Sequence, residues 1–105
     1  MAKDTVYLLH FDQPIGDRSN PHAQAQHYIG WARHLRQRLW RHRQGKGARI
    51  VAAVINRGMG FQLARTWPGG PPLEKKLKNY KGANRLCPIC QDRKRLAQLL
   101  DQLEP

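Results

Sequence analysis

Acidic residues are scarce in this sequence. Seven Asp and Glu stand against nineteen Lys and Arg in 105 residues, a formal charge of +12. Such an excess predicts a partner carrying repeated negative charge, with nucleic acid first. Cysteine is also scarce. Cys87 and Cys90 alone are too few for a secreted disulfide framework and agree with a reducing, cytoplasmic setting. Long apolar runs are absent. The segment after Met1-Ala2-Lys3-Asp4 is too short for a signal core or a membrane span, and it has no basic amphipathic face for a membrane surface. There is no internal repeat and no low-complexity tract. The length suits a single domain with one modest core and no large enclosed cavity.

The elements follow from pattern and punctuation. Thr5 to Phe11 is β-branched, aromatic and apolar, and Asp12-Gln13-Pro14-Ile15-Gly16 ends it with turn chemistry. A strand is expected there, then a loop through about Asn20-Pro21, and a second strand over His27 to Trp31. Ala32 to about Gln44 contains neither Gly nor Pro and Gly45 closes it, which predicts a helix. Trp31, Leu35 and Leu39 share one stripe of that helix, with Arg38 and His42 on the same stripe. An arginine beside leucines needs a partner or a pocket. Ala48 to Asn56 suits a short helix or a strand. Gly60 to Trp67 alternates as a third strand, and Pro72 to about Tyr80 reads as a helix with Glu74 near its N-terminus. From Asp92 on, Leu96, Leu99, Leu100 and Leu103 fall at i, i+3, i+4 and i+7. This predicts a final amphipathic helix that docks on the domain or forms a homodimer with a second copy.

Tyr28-Ile29-Gly30, with Arg38 ten residues after Tyr28, His42 beyond it and Glu74 further on, resembles the catalytic core of the GIY-YIG nuclease superfamily. Thr5-Val6-Tyr7 occupies the place of the first half of that name, with threonine where the family has glycine. Leu35-Arg36-Gln37-Arg38-Leu39 resembles the family's arginine helix, and Gly45-Lys46-Gly47-Ala48-Arg49 the loop after it. The resemblance spans about Val6 to Lys78. It implies an α+β (α/β) fold, a small three-stranded antiparallel sheet flanked by helices, and it selects the helix for Ala48 to Asn56. The domain division it suggests is a GIY-YIG-like catalytic region over 1–80 and a C-terminal extension over 81–105.

What the resemblance implies for function is a metal-dependent endonuclease that hydrolyses DNA phosphodiesters, with DNA favoured over RNA and little sequence preference or a preference for structure. Tyr7 is the expected base, Tyr28 a positioning hydroxyl, Arg38 the phosphate-gripping guanidinium, and His42 a donor or proton shuttle. Glu74 is the expected ligand of a hard divalent cation, Mg²⁺ or Mn²⁺. Gly30, Arg33, Arg36, Arg41, Lys46 and Arg49 are the expected nucleic-acid contacts. The rival expectation is a basic module that binds nucleic acid on the same scaffold without cutting it.

Cys87-Pro88-Ile89-Cys90 has the spacing of a zinc knuckle. A structural zinc site needs four ligands, and the sequence offers no second cysteine pair; a histidine pair or a second subunit would have to complete it. The favoured expectation is two reduced cysteines in the turn entering a helix, without zinc.

Overall fold

A computed structural model describes residues 3–16, 19–20 and 24–103. Three strands form one antiparallel sheet in the order β2-β1-β3: β1 Thr5–Gly16, β2 Gln24–Ala32 and β3 Phe61–Pro68. Five helices are described: α1 Leu35–Arg43, α2 Arg49–Asn56, α3 Pro71–Tyr80, α4 Ala83–Leu86 and α5 Pro88–Leu103. The expected fold class, an α+β arrangement of a small antiparallel sheet and flanking helices, is the one observed.

Helices cover both faces of the sheet, so the central strand is buried on both sides. Val6 through Phe11 are all buried, which is why β1 reads as a nearly continuous apolar run rather than a strict alternation. Period two divides it between two cores. Tyr7, Leu9 and Phe11 pack with Val51 and Val54 of α2 and with the half-buried Leu35 and Leu39 of α1. Val6 and Leu8 pack with Ile29 and Cys87, and around them gather Leu73, Leu77, Leu86, Ile89 and Trp67. Each fully buried aliphatic side chain here contributes about 1.5–3 kcal/mol.

Several boundaries moved for identifiable reasons. Ala32 still pairs with Thr5 across the sheet, so α1 begins at Leu35 and not at Ala32. β1 continues past Phe11 to Gly16, with its register to β2 shifting between His10 and Ile15. Pro21, expected in the connecting loop, lies outside the described residues. The last helix begins at Pro88, because proline is tolerated at the first helical position. Its Leu96, Leu99 and Leu100 are more than half exposed rather than docked on the sheet. No helix among the described residues is long and apolar enough to cross a membrane.

Candidate functional site

On the first face of the sheet, Tyr7 of β1 stands directly opposite Gly30 of β2. The absence of a side chain at Gly30 is required there. A Cβ would lie 2.6 Å from the Tyr7 hydroxyl oxygen and 2.8 Å from a ring carbon of Tyr28. The two tyrosine rings therefore close over that backbone, with centroids 6.2 Å apart. His42 reaches them from α1, its ring 5.8 Å from Tyr7 and 5.7 Å from Tyr28. The Tyr7 hydroxyl and His42 Nε2 are 2.8 Å apart, a buried hydrogen bond spanning 35 residues of sequence. His42 Nδ1 is buried and has no hydrogen-bond partner among the described residues, and the Gly47 backbone packs against it so closely that a Cβ would collide with the ring.

The electrostatics tie the remaining residues to this pair. Burial pushes the Tyr7 phenol up to about 12, helped by Tyr28 and Glu74 and opposed by the Arg38 guanidinium. Burial, then the Arg38 charge, hold His42 below its ordinary value of 6.5, so the ring is neutral at pH 7. Arg38 itself is exposed and lies 3.5 Å from the Trp31 carbonyl through Nη1. The leucines on its stripe turn inward while the guanidinium clears the core, which resolves its cost beside them. Glu74 of α3 is half-buried and forms an i,i+4 ion pair with Lys78 at 3.3 Å. Lys78 Nζ in turn sits 5.4 Å over the Tyr28 ring.

Outside the tyrosines runs a basic surface. One cleft of about 320 Å³ is lined by Tyr28, Arg38, Arg41, Lys46, Gly47 and Ala48. A second, of about 440 Å³, shares Arg38 and Arg41 and adds Trp31, Arg33 and Gln37. Trp40, 59% exposed, lines a further depression together with Gln37, Arg41 and Lys46. Of the expected nucleic-acid contacts, Arg33, Arg41 and Lys46 line the two clefts, Arg33 also being engaged by Asp4 at 3.4 Å, and Arg36 and Arg49 are exposed without lining either cleft. Gly30 serves the tyrosines by its missing side chain.

A different constellation occupies the opposite face. His10 and His27 are direct cross-strand partners, and their rings meet edge to face at 5.1 Å. Cys87, fully buried, and Cys90, half-buried, come up to them from the α4–α5 turn. The two histidine nitrogens and two sulfurs all lie within 4.8 Å of one another. Burial, foremost, lowers the pKa of both histidines and pushes the Cys90 thiol up to about 11. His10 Nε2, on the far side of its ring, is buried with no hydrogen-bond partner among the described residues.

This cluster corrects the metal expectation. Mg²⁺ or Mn²⁺ on Glu74, with no zinc at Cys87 and Cys90, is replaced by a His₂Cys₂ set suited to zinc. Among the described residues no other group of three or more His, Cys, Asp or Glu side chains converges, so Glu74 stands without the additional protein oxygens that favour a hard cation.

No family model, curated protein or solved structure matches the chain. The resemblance to GIY-YIG nucleases rests on short motifs alone.

Sequence reasoning brought Tyr7, Tyr28, Arg38, His42 and Glu74 forward; Tyr28 and Arg38 line the first cleft, Tyr7 and His42 are buried in ring contact with Tyr28, and Glu74 is linked to Tyr7 only through its charge. Two features of these candidate sites had only faint signals. Trp40 is a lone aromatic in an arginine-rich helix, and His10 and His27 are isolated histidines in apolar strands, 60 and more residues from the cysteines they meet.

Proposed function

We propose that this domain binds nucleic acid along α1 and hydrolyses phosphodiester bonds at Tyr7, with DNA the substrate and the cytoplasm its setting. The observation that carries the reading is the 2.8 Å contact between the Tyr7 hydroxyl and a neutral His42, beside Arg38. A phenol held near 12 does not ionise unaided at neutral pH. Tyr7 is fully buried, so the attacking water reaches its oxygen only when the Tyr28 ring shifts; with its proton on Nδ1, His42 then accepts the Tyr7 proton at Nε2 while the Tyr7 oxygen takes one from that water. The water oxygen bonds to phosphorus, the scissile P–O bond breaks, and the departing oxygen takes a proton from solvent. Arg38 offers paired donors to the phosphate oxygens as charge builds there. Glu74 makes the Tyr7 oxygen more basic and holds Lys78 beside Tyr28.

The surroundings support the same substrate class. Arg41 and Lys46 provide the field for a phosphate backbone, and the exposed Trp40 beside them offers a face on which an unpaired base can stack. The test is a cleavage assay of the purified chain on plasmid, single-stranded, flap and four-way substrates, with and without added divalent cations. Cleavage by the parent and its loss in Tyr7→Phe are expected. Tight binding with no cleavage under any of these conditions would overturn the reading in favour of a binder that does not cut.

A further inference from the structure

Two consecutive facts of the strands place His10 and His27 together. Antiparallel pairing sets them directly opposite each other, and period two sends both to the face away from Tyr7 and Tyr28. The other pair is local. Cys87 ends α4 with extended backbone, Pro88 opens α5, and Cys90 sits in the first turn of that helix. This is how a C-x-x-C segment brings two sulfurs to one point.

Four of the six ligand-to-ligand separations match those of a tetrahedron around a single ion, and all six lie within 4.8 Å. Zinc bonds of about 2.0–2.1 Å to nitrogen and about 2.3 Å to sulfur place two ligand nitrogens about 3.3 Å apart, and a nitrogen and a sulfur about 3.6 Å apart. The observed separations are 3.3 Å for His10 Nδ1 to His27 Nε2, 3.5 Å for Cys87 Sγ to His10 Nδ1, 3.6 Å for Cys90 Sγ to His10 Nδ1 and 3.3 Å for Cys90 Sγ to His27 Nε2. Four polar side chains pressed together in an apolar layer of Val6, Leu8 and Ile29 are costly without a common partner.

We propose that His10, His27, Cys87 and Cys90 hold one Zn²⁺ in a closed, structural centre that staples α4 and α5 to the sheet. The proposal is independent of the phosphodiesterase reading. Two thiolates balance the charge of the ion, so the buried centre is neutral, and the two thiol protons leave to solvent on binding. Four protein ligands fill a tetrahedral shell, leaving no position for a reacting water. Soft sulfur and imidazole donors without a carboxylate select zinc over Mg²⁺ or Ca²⁺. Cys90 and His27, the less buried ligands, mark the side from which the ion enters. The staple also bridges β1 and β2, the strands that carry Tyr7 and Tyr28 on their other face.

The decisive measurement is elemental analysis of the full chain after reconstitution with Zn²⁺ and removal of the excess. One zinc per chain is expected. Cobalt substitution should give the intense visible bands of four-coordinate Co²⁺ and a thiolate-to-cobalt charge-transfer band. Cys90→Ser should weaken zinc binding at least about a hundredfold, since loss of a direct ligand exceeds the usual effect of an outer-shell change. Cys90→His, which keeps four ligands, should restore it, and it provides the same readout if Cys90→Ser does not fold. Glu74→Gln should keep full occupancy. Zinc well below one per chain, a six-coordinate cobalt spectrum, unchanged affinity in Cys90→Ser, or loss of zinc in Glu74→Gln would each overturn the proposal.

Discussion

His27 and Tyr28 are neighbours in the chain that serve opposite faces of the sheet: His27 Nε2 lies 3.3 Å from Cys90 Sγ, while the Tyr28 ring stacks edge to face with His42 at 5.7 Å. The same division holds on β1, where Tyr7 contacts His42 and His10 contacts Cys87. Two short strands thus carry a polar cluster on each side, and a one-residue slip of either would exchange them.

Gly30→Ala tests how tightly the tyrosine face is built. The new methyl would press on both Tyr7 and Tyr28, so something must move. A stability loss of about 1–3 kcal/mol is expected in denaturant titrations, as for other overpacked sites, together with loss of cleavage.

Arg38→Ala should reduce cleavage at least about a hundredfold, the scale for one oriented donor in a site where charge develops. Binding should weaken only modestly, because Arg41 and Lys46 still line the cleft. Arg38→Lys should fail to restore the rate, since an ammonium lacks the planar fork. Single-turnover cleavage and equilibrium binding on the same substrate separate the two effects.

The pH dependence follows from His42. Its folded pKa is depressed below 6.5, first by burial and then by Arg38. Its neutral form therefore contributes stability that is fully present above pH 6.5 and is lost as pH falls below that value, where the unfolded chain binds the additional proton. Cleavage should be level from neutrality down to pH 6.5 and decline only under more acid conditions. An NMR titration of the His42 ring showing a midpoint at or above 6.5 would contradict this.

Nucleic-acid binding should weaken steeply with salt. Displacing counterions from Z phosphates gives a log–log slope of about −0.9Z on duplex DNA, and several engaged cations predict a slope steeper than about −3. Arg41→Ala with Lys46→Ala should flatten it by roughly 2. Binding curves at a series of salt concentrations provide both numbers.

Metal removal should loosen the C-terminal helices first. Chelation is expected to expose residues 83–103 to limited proteolysis before the rest of the chain, because Cys87 and Cys90 join them to the sheet. If the centre contributes even about 3 kcal/mol, the melting temperature should fall by roughly 12 °C or more. Calorimetry with and without chelator measures it.

The sequence by itself determined the class of fold and brought forward the residues of one candidate site. Apolar strands punctuated by Gly and Pro, a helix without either, and the spacing from Tyr7 and Tyr28 through Arg38 to Glu74 are local patterns, and local patterns are what a linear chain displays. Only the tertiary structure brought the metal-ligand set together. His10 and His27 look like single histidines within apolar strands until antiparallel register sets them opposite each other, and Cys87 and Cys90 reach them only when the α4–α5 turn packs against Val6, Leu8 and Ile29. A tetrahedral ligand set is a condition on distances among residues up to 80 positions apart, and spacing along the chain holds no record of those distances.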